Sequence, residues 1–235
     1  MHSSYHAGTH AFRIPEVYYV GDAPGGSFIL MEYLNFEGAR KSSQALLGEC
    51  LGRMHAATPQ HPKAQEGYFG FDVDNTIGGT PQPNPWTKDW VTFLRDHRLR
   101  HQLSLAQDST LSKLGDTLCN SLHLFFPSDL LITPSILHGD LWSGNIATVD
   151  GMPSLYDPAC YYGHSEAEFG MSWCAGFSRE FWDSYHSIIP RQPGFQERHQ
   201  IYTLYHYLNH YNLFGGAYYS QCTQTLQALI SRIPK

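Results

Sequence analysis

His138-Gly139-Asp140-Leu141-Trp142-Ser143-Gly144-Asn145 decides how the rest of this chain is read, together with Tyr156-Asp157-Pro158-Ala159 downstream. Between them lie Ile146-Ala147-Thr148-Val149, then Asp150-Gly151, then Ser154-Leu155-Tyr156. This intervening segment reads as a β-hairpin, because an Asp-Gly pair between β-prone runs suits a tight two-residue turn. Such a hairpin returns Asp157 to the loop that carries Asp140 and Asn145. Three oxygen-bearing side chains then converge.

An isolated Asp or Asn in a loop is ordinarily turn chemistry, and a His-Gly-Asp triplet alone also suits metal phosphoesterases. The full spacing says more. H-x-D-x-x-x-x-N followed by a second Asp is the catalytic-loop pattern of kinases. Phosphoryl transfer needs one carboxylate to accept the substrate proton and two groups to hold Mg2+, which this convergence supplies.

The chain has 235 residues, 42% hydrophobic and 15% charged, a balance that supports a substantial globular core rather than disorder. A net charge of -6 without a basic cluster argues against nucleic acid and anionic membranes as partners. No apolar run reaches the length of a membrane span, and the start lacks the apolar core of a secretory signal. The five cysteines form no Cys-x-x-Cys pair and are odd in number, which predicts a reducing, cytoplasmic setting.

Outward from the central loop, Val17-Val20 and Ser27-Leu34 read as an antiparallel pair joined by Gly21 to Gly26. Ser43-Ala57 carries Leu47, Leu51 and Met54 at helical spacing, with His55 packed near its end. Gln60-Pro85 is turn-rich, and Asn75, Gln82 and Asn84 within it offer amides suited to a polyol. Trp86-Leu105 and Asp108-Phe126 read as helices, the second with a leucine stripe that ends at Pro127. Ser165-Glu166-Ala167-Glu168 reads as a capping box opening a helix to about Cys174. Arg179-Ile188, Phe195-Tyr211 and Gln224-Arg232 complete the helical part. His2, His6 and His10 recur every four residues at a frayed, polar terminus.

These residues together resemble the fructosamine kinase, or ketosamine-3-kinase, family, and especially its eukaryotic ribulosamine/fructosamine branch. The resemblance rests on Asn75-Thr76-Ile77-Gly78, on Gln82, Asn84 and Trp86, and on Asp89-Trp90-x-x-Phe93 with Arg98-Leu99. It rests equally on His138 to Asn145, Tyr156 to Ala159, Tyr162 to Glu166, and Tyr207-Leu208-Asn209-His210. It implies an α+β, protein-kinase-like fold related to aminoglycoside phosphotransferases and choline kinases, with a truncated β-containing N-lobe and a mostly helical C-lobe. The expected division is a poorly ordered tail over 1–12, an N-lobe remnant over 13–34 ending in the hinge, and the helical C-lobe over 35–235.

The resemblance also implies a reaction: MgATP phosphorylates the third hydroxyl of a ribulosamine, psicosamine or fructosamine on a glycated protein, and the unstable product sheds the sugar. Carried over by residue, Asp140 is the general base and Asn145 and Asp157 bind Mg2+. Glu32, Tyr33 and Leu34 meet adenine, and Trp142, Trp86 and Trp90 wall the sugar. Glycated protein or free ketosamine is the implied partner. The sequence departs from the pattern before Val17, where the glycine-rich hairpin, its Lys and the helix Glu are not visible. Gly8 stands alone and the first Lys is Lys41. The expectation is therefore slow turnover. A non-catalytic ketosamine-binding module and a kinase of another small alcohol, such as an aminoglycoside, are the alternatives.

Overall fold

The computed structural model describes residues 11–37 and 43–233. The histidine row at His2, His6 and His10, and Lys41, lie outside the described residues. The first elements are β1 (Val17–Ala23) and β2 (Gly26–Met31), an antiparallel pair. An extended strip over residues 32–36 leads from β2 towards helix α1 (Gln44–Ala56), whose first turn is capped by the Ser43 hydroxyl. A short helix α2 (Pro62–Gln65) precedes the small hairpin β3 (Asn75–Ile77) and β4 (Thr80–Gln82).

The helix expected over Trp86-Leu105 begins later and is not uniform. Asp89 caps α3 (Trp90–Leu94), a π-helical turn follows over Arg95–Leu99, and α4 (Arg100–Ala106) ends on Gln107 in the left-handed region. Arg98, on this widened turn, is buried and donates to Pro83 O at 2.6 Å and Asn84 Oδ1 at 2.7 Å. Local π-turns of this kind let a helix redirect one residue. The expected second helix is α5 (Ser109–Asn120), capped by Asp108, with its last part tightened into a 3₁₀ turn at Leu122–Phe125.

Strand β5 (Ser135–Leu137) leads into the central loop and pairs antiparallel with β8 (Tyr161–Gly163). Between them, β6 (Ile146–Val149) and β7 (Met152–Leu155) form the expected hairpin, and Asp150 and Gly151 both take positive φ at its tip. That is the backbone the Asp-Gly pair foretold. The segment read as a capped helix over Ser165-Cys174 is instead a 3₁₀ stretch, Ser165–Met171, followed by one turn, α6 (Ser172–Ala175). Helices α7 (Arg179–Ile188), α8 (Phe195–Phe214) and α9 (Tyr219–Ile230) follow, the last two longer than the sequence reading drew them.

Two apolar cores result. One gathers Phe93, Leu94, Leu118, Leu137, Tyr161, Tyr202, Leu208 and Leu226, from the helices α3 to α5, α8 and α9 and the β5–β8 pair. The other gathers Phe12, Ile14, Leu47, Leu51, Leu141, Ile146, Phe169, Phe181 and Tyr185 around α1 and α7. The central loop bridges them, with Leu137 before it in the first core and Leu141 and Ile146 in the second. Each end of the loop is thus fixed by a separate body of buried side chains. Ala11 and Phe12, read as part of a poorly ordered tail, are buried in the second core, and Arg13 N bonds Pro153 O at 3.0 Å.

Candidate active site

The loop after β5 turns sharply at Gly139, whose φ is +81°. A Cβ there would lie 2.2 Å from Ala159 O. Only glycine takes this conformation at this proximity without strain, so Gly139 is what lets the 138–145 loop and the 156–160 loop touch. Ala159 N bonds His138 O at 2.9 Å across the same contact. His138 Nε2 lies 2.9 Å from Tyr156 O, and Asp140 N lies 3.3 Å from His138 Nδ1. The amide is the donor in the second bond, so the proton sits on Nε2 and is given to the carbonyl. Burial lowers the pKa of this imidazole, which keeps it neutral. His138 is thereby a neutral strut between the two loops.

Asn145 closes the loop. Its Nδ2 donates to Asp140 O at 2.9 Å, to Asp140 Oδ2 at 3.2 Å and to Asp157 O at 3.4 Å. One amide group therefore ties Asp140 to the Asp157 backbone. Asp157 itself is exposed and holds a φ of +55°. Asp tolerates the left-handed region better than most residues. The Tyr156 hydroxyl donates to Gly144 O, which fixes the turn before Asp157.

The electrostatics follow from the geometry. Burial, and then repulsion by the Asp157 carboxylate, raise the Asp140 carboxyl to about 6, with the Asn145 hydrogen bond offsetting part of the rise. A carboxylate so tuned is mostly ionised at neutral pH yet basic enough to take a proton. Among the described residues, no group of three or more His, Cys, Asp or Glu could hold a metal ion. Asp157 and Asn145 offer hard oxygens suited to a cation that takes its remaining ligands from water and phosphate, as Mg2+ does.

The other candidate residues are placed unequally. The residues over 32–36 form a strip without regular structure. The Glu32 carboxylate is paired with Arg13 and accepts from Glu16 N at 3.2 Å, so its side chain is committed. Tyr33 is 88% exposed and Leu34 half-buried. The strip is tied to the second Asp loop by Phe36, which stacks on Tyr156 at 4.7 Å, and the chain just beyond it to β6, since Glu37 and Thr148 exchange backbone bonds of 2.8 and 3.1 Å.

Trp142 is 39% exposed, with its indole lying over Gly144, where a Cβ would meet ring atoms at 2.2 Å. Trp86 is half-buried and stacks on His61 at 4.5 Å and on Tyr162 at 6.0 Å. Trp90, read from the sequence as a wall of the sugar site, is instead a core residue. It is 2% exposed and gives its indole N–H to Tyr202 Oη at 3.1 Å.

The amides read as polyol donors are likewise spent inside the protein. Asn75 Nδ2 donates to Cys160 O at 2.8 Å and Gln82 Nε2 to Ala159 O at 3.1 Å. Asn84 Nδ2 donates to Asn75 Oδ1 at 3.0 Å and Val73 O at 3.2 Å. Asn75 and Gln82 thus support the loop after Asp157, and Asn84 holds Asn75 in place. Glu168, read as a helix cap, is the residue that sequence reasoning missed. It accepts from His138 N at 2.7 Å and Gly139 N at 2.9 Å. The available signal was two acids in an otherwise apolar stretch, Glu166 and Glu168, just after His164.

A small hairpin, an extended strip and a helical body carrying this loop define a protein-kinase-like fold. A thermostable variant of aminoglycoside phosphotransferase APH(4)-Ia, solved as a ternary complex with AMP-PNP and hygromycin B, matches it with a TM-score of 0.61 at 16% identity, over 97% of this chain and 80% of that one. Within that fold, the chain belongs to the fructosamine kinase family, whose model matches residues 5–232. The chloroplastic protein-ribulosamine 3-kinase of Oryza sativa subsp. indica is 52% identical over 218 residues, which cover 90% of this chain and 62% of the relative. A crystal structure assigned as a fructosamine-3-kinase of Haemophilus somnus 129PT has a TM-score of 0.78 at 28% identity, over 97% of this chain and 79% of that one. The chain thus spans less than two thirds of the rice relative's length. Among the described residues no helix is long and apolar enough to cross a membrane, and all five cysteines are free.

Proposed function

We propose that the 138–157 site transfers the γ-phosphoryl group of ATP to the third hydroxyl of a protein-bound ketosamine, a ribulosamine, psicosamine or fructosamine, and so opens the route to deglycation. The observation that carries this reading is the Asp140 carboxyl at about 6, bonded to Asn145 beside Asp157. The family and the name of the rice relative support the substrate class.

In the reaction, Asp140 orients the sugar hydroxyl and accepts its proton as the oxygen bonds to the γ-phosphorus. The bond from that phosphorus to the bridging oxygen breaks, and ADP leaves with the electron pair. Asn145 and Asp157 would hold Mg2+, which when bound offsets charge on the phosphoryl oxygens. The backbone of Glu32, Tyr33 and Leu34 takes the adenine, on the strip that Phe36 fastens to the Asp157 loop and Glu37 to β6. Trp142 offers a partly exposed indole near the proposed base, suited to the apolar face of a sugar, and Trp86 a half-buried one stacked on His61. The resident setting is proposed as reducing and aqueous, with glycated protein or free ketosamine as partner.

The test is phosphorus NMR of the protein incubated with MgATP and lysine-linked ribulosamine, fructosamine or hygromycin B. A new phosphomonoester on the ketosamines, followed by release of free lysine amine, is expected, formed slowly. An ester on hygromycin B alone would overturn the substrate class. Ketosamine binding without any ester would overturn the reaction.

A further inference from the structure

Two carbonyls of the loop after Asp157 are gripped by side-chain amides of the β3–β4 hairpin. Gln82 Nε2 donates to Ala159 O at 3.1 Å and Asn75 Nδ2 to Cys160 O at 2.8 Å. Asn75 Oδ1 in turn accepts from Gln82 Nε2 at 2.8 Å and from Asn84 Nδ2 at 3.0 Å. Each amide has a donor end and an acceptor end of nearly the same shape, and a half-turn about its last bond exchanges them. Turned the wrong way, Asn75 would bring an oxygen against the Cys160 carbonyl. A group of fixed polarity is needed to set the whole row.

The Tyr205 hydroxyl on α8 donates to Gln82 Oε1 at 2.6 Å, but a phenol can also accept. Arg98 has no such freedom. From the π-helical turn it donates to Asn84 Oδ1 at 2.7 Å and to Pro83 O at 2.6 Å. A guanidinium carries five donors and no acceptor, so Asn84 must face it with oxygen and turn its Nδ2 to Asn75. The order of donation then runs from Arg98 through Asn84 and Asn75 to the Cys160 carbonyl.

Stability alone does not call for a charge at this position. Arg98 is 1% exposed, and its Nε has no hydrogen-bond partner. Its acceptors are the carbonyls of Pro83 and His97 and the Asn84 amide, with no carboxylate among the described residues. The guanidinium lies over the rings of Tyr161 at 4.1 Å and Phe93 at 4.6 Å, which offset the desolvation of a cation only in part. Exceptions of this kind to local rules are expected where a function uses the group.

We infer that Arg98 is a positioning residue for Asp157. Through Asn84 and Asn75 its donor-only head orients the amides that grip the Ala159 and Cys160 carbonyls, and so fixes the loop just beyond Asp157. It acts on the proposed Mg2+ ligand through the loop and not by contact. The consequence at the metal rests on the phosphoryl-transfer reading, and the structural one on the hydrogen bonds alone.

Asn84→Asp tests the row with little change of shape. The carboxylate keeps the bond from Arg98 but turns an acceptor towards Asn75 Oδ1 and Val73 O. The carbonyl 13C signals of Ala159 and Cys160 should then move upfield, as those of carbonyls losing a donor do, while that of Ile136 in the β5–β8 ladder stays. Mn2+, followed by electron paramagnetic resonance on the protein with AMP-PNP, should bind about tenfold more weakly, the usual loss when the support behind a metal ligand is removed. The Mg2+ concentration for half-maximal ribulosamine phosphorylation should rise in step, with KM for ribulosamine within about threefold of the parent. Arg98→Met, which fills the space without a donor, should reproduce both changes. Arg98→Lys, again a donor-only cation, should recover most of the Mn2+ affinity.

Unmoved carbonyl signals in Asn84→Asp, or moved signals with the Mn2+ affinity of the parent, would overturn the proposal. Equal Mn2+ binding by the lysine and methionine variants would overturn it as well. If Arg98→Met does not fold, Arg98→Gln takes its place, since a glutamine can present either end to Asn84 and should bind Mn2+ more weakly than Arg98→Lys. Absent phosphorylation with the expected carbonyl and Mn2+ changes would count against the substrate reading and leave the role of Arg98 standing.

Discussion

The catalytic loop and the β1–β2 hairpin are built in opposite ways. In the loop, His138 and Gly139 are clamped by Glu168, Asp140 and Asn145 are bonded to one another, and the flanking Leu137 and Leu141 are fully buried in two cores. In the hairpin, Tyr18, Tyr19, Val20, Phe28, Ile29, Leu30 and Met31 are all exposed. Two strands without a covered face are marginal by themselves. Its attachments to the body include the Arg13–Glu32 pair, and beyond it those of Phe36 to the second Asp loop and of Glu37 to β6. Asp140, the proposed base, is thus held by many independent contacts, and the strip proposed for adenine by few. The position of Asp140 is thus built into the core, whereas the strip proposed for adenine is fastened at a few points only.

The sharpest way to break this contrast is at Gly139. Gly139→Ala forces a side chain into a positive φ and against the Ala159 carbonyl, and should cost about 3 kcal/mol or more in denaturant unfolding. A variant as stable as the parent would mean the two loops do not meet as described. Hydrogen exchange sharpens the same comparison. The amides of His138 and Gly139 should exchange near the global unfolding limit and those of β1 and β2 at least ~2 kcal/mol below it. Equal protection would erase the distinction.

A smaller effect comes from the Asp140 carboxyl itself. Its folded pKa of about 6 lies above its ordinary value, so the native state binds the extra proton between pH 4 and 6. That contribution is present at low pH and lost as the pH rises through about 6. At pH 7 the charged Asp140 therefore destabilises the fold, and Asp140→Asn should raise stability by ~1–2 kcal/mol there and by nothing at pH 4. A thermal melt at the two pH values checks the sign. Smallest of all, Leu30→Thr on the exposed hairpin should change stability by less than ~0.5 kcal/mol, and a larger loss would show that the hairpin is not free-standing.

The sequence disclosed what was local. The Asp-Gly turn, the β-prone runs around it and the spacing from Asp140 to Asn145 all sit within one stretch, and the structure forms the hairpin and the Asp140–Asn145 contact. Helix α1 announced itself through Leu47, Leu51 and Met54 for the same reason. What stayed hidden depends on distant partners. Glu168 finds its amides 30 residues upstream and His55 finds it across 113 residues, and no periodicity records either bond. Ser165 and Glu168 have the spacing of a capping box, but the carboxylate is drawn to stronger, buried donors elsewhere. Trp90 shows the same ambiguity. An aromatic at the start of a helix fits a sugar wall or a core equally, and only the placement of Tyr202 decides for the core. Asn75 and Gln82 look like surface amides in a turn-rich stretch, yet the loop after Asp157 needs donors for its carbonyls and takes them.

The proposed role of Asp140 as the base is tested most directly by the pH profile of kcat for ribulosamine phosphorylation in the parent and in Asp140→Asn. The parent should lose activity tenfold per pH unit below about 6, as the carboxyl gains its proton. Asp140→Asn should bind MgATP and ribulosamine as the parent does while kcat falls by roughly 1,000-fold or more, with the acid limb gone. A variant that keeps its kcat, or keeps the limb near 6, would contradict the assignment of Asp140.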